Sequence, residues 1–403
     1  MKQKNIIIAC ILASIGIRIF ALFYFDLSNI NYWEYGDIAQ NILAGKGYSF
    51  YYEIQKSLCY RFSPYANVQP SAFMPPGYVF FITPFYLIKN VIARNVILIM
   101  FQHLISGVSI YILIKVVETK FSTTTSTIMI CIGLLLPEFI VASHYVGPTL
   151  FYHLFLASIL FFISNLSNNK NYIIALAVTI VIGIYFRSEM ALLFIGFIAV
   201  WIKEKKWNWI IKSSVIVLLL LSPWVIRNYF IFNHFIPLTT NSGMNLYRGH
   251  NLEKSGGWPT PLDTLLSQKI IQNSTFEYAL NQMYLKDAWY IIKQYPQNEI
   301  GLMFKKFVQF WLFDWEDNRA KSLLYLIPWM CILAMGIVGI LANYNWQIFK
   351  YEYVFFICST LTVIIFFPLL RYQTMMKFML LPFAADGLRL TYHLFKKKII
   401  ARS

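Results

Sequence analysis

Residues 6–25 read IIIACILASIGIRIFALFYF. The run has the length of about 20 apolar residues that an α-helix needs to cross a bilayer. Lys2 and Lys4 precede it, no small-residue cleavage site follows it, and its one charge, Arg18, comes late. That pattern predicts an uncleaved first crossing that starts in the cytoplasm. Nine further apolar runs follow at about 95–117, 124–143, 148–165, 171–187, 189–203, 209–226, 322–343, 351–370 and 374–393. The expected architecture is therefore an all-α polytopic membrane protein with about ten transmembrane helices. Residues 1–403 form a single membrane domain in this reading, with helices in 95–227 and 322–403.

Composition agrees with that class. Hydrophobic residues make up 58% of the 403 and charged residues 13%, against about half and a quarter in a soluble domain. An ordinary soluble enzyme, a disordered chain and a disulfide scaffold are excluded. The five cysteines are scattered with no CxxC spacing, so neither a zinc site nor a redox motif is supported. The net charge of +16 would suggest nucleic acid in a soluble protein. Here much of it orients the chain, and no nucleic-acid partner is expected. Alternate threading puts Lys115, Lys120, Lys170, Lys203, Lys205, Lys206, Lys212, Lys350 and Lys396–Lys398 inside, as the positive-inside rule requires. Both termini are then cytoplasmic. Only Arg187, Arg371 and Lys377 fall in short outer loops, and among the acids only Glu118, Glu204, Glu352 and Asp386 fall inside.

Two outer segments, 26–94 and 228–321, are much longer than a connection requires, and long ordered loops tend to be functional. Within them 78–88 is too short to cross and rich in aromatics, which suits the membrane interface. Residues 276–295 have the spacing of an amphipathic surface helix stopped by Pro296. Cys59 is expected on the outer face. No internal repeat is visible, which weighs against a transporter.

The polar chemistry sits in these segments. Trp33, Ile38, Ile42 and Leu43 mark one face of a short helix that Gly45 and Gly47 end. Glu34 and Asp37 are three apart on its side, just past the first crossing. A carboxylate there can take a proton from an acceptor hydroxyl or amine as general base. The plain alternative is two acids favoured by a helix N-terminus. Pro75 and Pro76 fix an extended approach to the apolar stretch, and Gly77 permits a turn. Arg227 and Asn228 open the second segment, which continues through Tyr247, His250 and Asn251. Such a loop offers fixed cations and backbone donors to a phosphate or a sugar, or it is a solvated loop with an anchoring arginine. Arg187 lies near Glu189, and Arg371 precedes Tyr372. An arginine near the membrane plane needs a partner. All three arginines emerge on the outer side, where they could converge.

The order of five blocks carries a resemblance. They are Glu34-Tyr-Gly-Asp-Ile-Ala-Gln-Asn-Ile-Leu-Ala-Gly-Lys-Gly-Tyr-Ser49, Pro70-Ser-Ala-Phe-Met-Pro-Pro-Gly-Tyr78, Pro223-Trp-Val-Ile-Arg-Asn-Tyr229, Thr240-Asn-Ser-Gly-Met-Asn-Leu-Tyr-Arg-Gly-His-Asn251, and Arg371-Tyr372 with Pro382. Together, over nearly the whole chain, they resemble bacterial integral-membrane glycosyltransferases of the C-type fold. These are relatives of the dolichyl-phosphate-mannose protein mannosyltransferases and the lipid A aminoarabinose transferases. Three positions depart from the pattern: Asn31 stands near an expected acid, Pro148 near an expected glutamate, and His250 near an expected asparagine.

The resemblance implies a polyprenyl-phosphate sugar donor and a lipid, glycan or protein acceptor. It also implies an extracytoplasmic active site in what would be the bacterial inner membrane, with the catalytic acid in the first outer loop. Glu34 is the first choice for that acid and Asp37 the second. Arg227, Arg371 and Arg187 are expected to bind the donor phosphate. Asn228, Tyr247, His250, Asn251 and Tyr372 are expected to border the substrate. No cofactor is expected, no metal site is assigned, and a divalent metal is left open. Two rival readings remain: a polyprenyl-linked glycan polymerase or ligase, and a transporter or flippase for a lipid-linked sugar. Paired charges inside the spans would favour the transporter.

Overall fold

The computed structural model describes residues 2–50, 68–167, 169–250, 274–315, 317 and 319–400. Cys59 and Asn251 lie outside them. Apart from turns and loops, the described elements are helices and one two-residue antiparallel ladder that pairs Ser49 with Pro70 and Phe50 with Gln69. Helix α1 spans Lys2–Tyr24 and α2 Trp33–Leu43. A short α3, Pro76–Ile82, runs into a 3-10 turn at Thr83–Leu87. Then come α4 Val91–Val117, α5 Thr123–Leu135, α6 Pro137–Ala142, α7 Thr149–Ser164, α8 Tyr172–Phe186, α9 Met190–Lys203 and α10 Trp207–Phe232. The second long segment contributes α11 Ser242–His250, α12 Phe276–Gln294 and α13 Pro296–Trp311. The chain closes with α14 Leu323–Ala342, α15 Trp346–Ile365 and α16 Leu370–Ile400.

Each of the ten apolar runs therefore falls mainly on helix, although the run at 351–370 leaves α15 at Ile365. Among the described residues five helices, α1, α4, α10, α14 and α15, are long and apolar enough to cross a membrane by length and composition. Helices α5, α7, α8 and α9 are apolar but shorter. The run at 124–143 is broken because Pro137 has no N–H to donate and Leu136 before it turns extended, with ψ 118°. Placed end to end, α5 and α6 still span about 30 Å. The side chains of α1 are mostly exposed, among them Leu12, Phe20 and Phe23, as suits a helix facing lipid. Its arginine turns inward. Arg18 lies within hydrogen-bond distance of His103 Nδ1 (2.7 Å) and donates to Ser143 Oγ (3.0 Å) and Ser106 Oγ (3.2 Å). A buried guanidinium needs such partners.

The four acids expected inside all find bases. Glu118 pairs with Lys115, Glu204 with Lys350, Glu352 with Lys120 and Asp386 with Arg389. These pairs sit at the ends of α4, α9 and α15 and in the later half of α16. Asp386 also accepts from Thr125 of α5 and Asn343 after α14, which ties that end of the bundle together.

Three sequence boundaries are corrected. Helix α10 runs six residues past 226, to a left-handed cap at Asn233, so Arg227 and Asn228 are helical rather than loop residues. Helix α16 begins at Leu370, so Arg371 and Tyr372 lie in its first turn. Lys377 lies within α16, buried and ion-paired with Glu138 of α6. Pro296 does separate two helices, but as the first residue of α13, where its missing N–H has no bond to lose.

Candidate active site

Helix α2 ends as its glycines require, with Gly45 at φ 74° and Gly47 at φ 67°, a conformation open to glycine without strain. Its buried residues are Gly36, Ile38, Ala39 and Asn41. Ile42 is half-buried, while Trp33 and Leu43 are exposed. The apolar stripe of the sequence is thus only partly the packed face. Asn41 donates to Ser49 O at 2.9 Å, which fixes the helix on the short ladder. Helix α3 begins where Pro75 and Pro76 set the chain, Pro75 extended at ψ 137° and Pro76 opening the first turn.

This packing holds Glu34, Tyr35 and Asp37 in a crowded but partly accessible position. Burial raises the Glu34 carboxyl above its ordinary range, while its own backbone N–H and the charges of Arg248 and Arg371 pull the other way. Asp37 is raised by burial and then by Glu34, to about 7. Tyr35 is raised by burial to about 12, opposed by the positive fields of Arg371 and Arg187. A carboxyl group with a pKa near 7 is suited to proton transfer at neutral pH.

Two of the three arginines come together. The Arg187 guanidinium lies 5.1 Å from the Tyr372 ring centroid, and that of Arg371 lies 5.6 Å from it. Arg187 is buried and donates through Nε to Glu189 Oε1 at 2.6 Å. Burial alone would lower its pKa, but Glu189 and the tyrosines around it hold it charged. Arg371 is exposed, with no ion pair among the described residues. Its place at the start of α16 adds the positive end of a helix dipole. Beside them opens a small cleft. Tyr152, Glu189, Tyr372, Ser359 and Thr362 supply its polar lining, and Leu193, Phe355, Val363 and Met375 its apolar lining.

Arg227 is placed differently. It donates to Ser71 O (2.6 Å), Tyr48 O (2.9 Å) and Asn228 Oδ1 (2.9 Å) and lies against the Trp224 ring at 4.9 Å. These bonds clamp both strands of the first-segment ladder to α10. Asn228 is fully buried and donates to Ile236 O at 3.0 Å. Tyr247 is buried with its ring 5.4 Å from that of Tyr284. His250 is buried with both ring nitrogens engaged.

Sequence reading passed over Tyr35 and Arg248, although both stand inside the quoted blocks. The links of Tyr35 to Arg187 and Arg371, and of Arg248 to Glu34, join residues more than a hundred positions apart. Among the described residues no group of three His, Cys, Asp or Glu side chains is placed to hold a metal ion.

The chain matches no family model and no curated protein. Its fold is similar to two solved structures of ArnT from Cupriavidus metallidurans. The one bound to undecaprenyl phosphate aligns with a TM-score of 0.39 and 11% identity over 94% of this chain and 77% of ArnT. The other, in the apo state, has the same score and identity over 93% and 76%.

Proposed function

We propose that the protein is an integral-membrane glycosyltransferase of the extracytoplasmic face, with ten crossings and both termini in the cytoplasm. It takes a sugar from a polyprenyl-phosphate donor and passes it to an acceptor hydroxyl or amine. The observation that carries this reading is the meeting of Arg187 and Arg371 at Tyr372, within the field of Tyr35 and Glu34. The order of the five sequence blocks supports it.

In this reading the anomeric C–O bond to phosphate breaks while the acceptor oxygen or nitrogen attacks the opposite face of the sugar, giving inversion. Polyprenyl phosphate leaves with the bonding electron pair. Glu34 takes the acceptor proton, with Asp37 one turn away as the second carboxyl. Negative charge grows on the phosphate oxygens, and fixed cations aimed there lower the barrier. Arg371 is the leading candidate because it is exposed, forms no ion pair among the described residues, and carries a planar fork that suits phosphate. Arg187 and Arg248 complete the positive field. Arg227 holds the first long segment in place, and the apolar end of the Tyr372 cleft accommodates the start of the lipid tail.

One observation favours a second reading, a transporter or flippase for a lipid-linked sugar. Lys377 and Glu138 form a buried pair inside the helices, the kind of feature such proteins use. The two readings separate in one experiment. Purified protein is given a panel of polyprenyl-phosphate sugars, and release of polyprenyl phosphate is measured. Release that is lost in Glu34→Gln and Arg371→Ala supports transfer. Release from none of the donors, with sugar lipid moved intact across proteoliposomes, supports transport.

A further inference from the structure

Helix α13 is amphipathic in the opposite sense from a helix on a soluble domain. Ile300, Met303, Phe304 and Phe307 are exposed, while Glu299, Lys306 and Gln309 are buried. Glu299 and Lys306 are seven residues apart and share one face. An apolar face turned outward suits lipid. Ionisable groups turned inward need bonds that repay their desolvation.

Those bonds go to two other elements. Glu299 Oε2 lies 2.5 Å from His250 Nδ1 at the end of α11. His250 Nε2 lies 2.8 Å from Ile365 O. A carbonyl only accepts, so Nε2 carries a proton, and Nδ1 shares another with Glu299. Lys306 Nζ donates to Ile364 O at 3.1 Å. Ile364 and Ile365 end α15, where carbonyls lack partners within the helix and the dipole favours cations. Between Arg248 and His250, Gly249 lies so close to Phe366 that a Cβ would sit 1.8 Å from its carbonyl oxygen. The end of α11, the inner face of α13 and the end of α15 thus meet in one joint. Arg248 stands two residues before His250, and Arg371 five residues after Phe366. Both act on Glu34.

We propose that the His250–Glu299–Lys306 joint is the positioning element of the active site, setting Arg248 and Arg371 against Glu34. This rests on the reading of that site given above. His250 then acts through the two arginines and does not itself touch substrate.

The test pairs hydrogen exchange with kinetics on the full-length protein in detergent, for Lys306→Met, Lys306→Arg and Glu299→Gln. Exchange is expected to rise in residues 242–250 and 370–374 of Lys306→Met and Glu299→Gln, with the rest of the bundle protected as in wild type. Turnover is expected to fall about 10²-fold in Lys306→Met with the donor KM little changed, the scale of a misplaced reacting geometry. Lys306→Arg, which keeps a donor, is expected to recover most of it. Unchanged exchange in those two segments, or exchange that rises evenly through the bundle, overturns the joint. Full turnover in Lys306→Met beside an active wild type overturns it equally. Local loosening in the variants of a protein that transfers no sugar upholds the joint and removes the transferase reading.

Discussion

Arg187 and Arg371 share one aromatic neighbour: both guanidinium groups lie within 6 Å of the Tyr372 ring centroid. They are far apart in the sequence, one directly after α8 and the other in the first turn of α16. Glu189 offsets the first charge, and no carboxylate among the described residues pairs with the second. Like charges drawn together at a helix N-terminus are unfavourable without an anion, and a departing phosphate is one.

Arg371→Ala is therefore expected to lower turnover by about 10²–10³, the loss typical of removing one preorganised donor to developing charge. Its melting temperature should change little, because Arg371 is exposed and forms no ion pair among the described residues. Arg371→Lys should recover only part of the rate, since it lacks the planar fork. Near-normal turnover in Arg371→Ala would take it out of the phosphate site. Thermal unfolding and a transfer assay on one preparation measure both.

Glu34→Gln keeps shape and loses the proton acceptor. The expected cost is about 10²–10⁴ in rate, with binding of polyprenyl phosphate retained because its contacts lie elsewhere. An active Glu34→Gln beside an inactive Asp37→Asn would transfer the role to Asp37.

Asp37 gives a pH prediction with a definite sign. Its carboxyl is raised from 3.8 to about 7 by burial and by Glu34. Between those values the folded state holds a proton that the unfolded chain releases. The stabilisation from this group is full below about pH 4 and is lost as pH rises through 7. Asp37→Asn should thus melt higher than wild type at pH 8, with the gap closing in acid. Glu34→Gln removes one cause of the shift and should move any Asp37 titration seen by NMR or in the pH–rate profile to lower pH. A gap that widens in acid would contradict the assignment.

Arg227 is expected to behave as a clamp. Arg227→Ala removes charge-assisted bonds to Tyr48 O and Ser71 O, and bonds to charged groups contribute about 1.5–3 kcal/mol. Stability should fall by that order, and exchange should rise at 48–50 and 68–72. Loss of turnover with unchanged stability and exchange would instead return Arg227 to the phosphate.

Much of this architecture could be read from the chain because hydrophobic runs and helix stops are local signals. Gly45 and Gly47 end α2 for a reason visible in the sequence, and the clusters at Glu34 and Arg371 stood out as polar residues beside apolar runs. The overrun of α10 did not stand out. A helical ladder continues through Arg227 and Asn228 whatever their polarity, so the end of an apolar run is not the end of its helix. Helix α13 was hidden for a related reason: its polar side faces protein and its apolar side faces out. The partners of His250 could not be read at all, since Glu299 and Ile365 reach it only through the fold.

The central claim is most directly tested by the structure of the protein with a polyprenyl phosphate bound. The phosphate is expected within hydrogen-bond reach of Arg371, near Arg187 and Tyr372, with the lipid tail leaving through the cleft between Leu193 and Val363. A phosphate seated away from both arginines, with Glu34 facing no substrate, would contradict it.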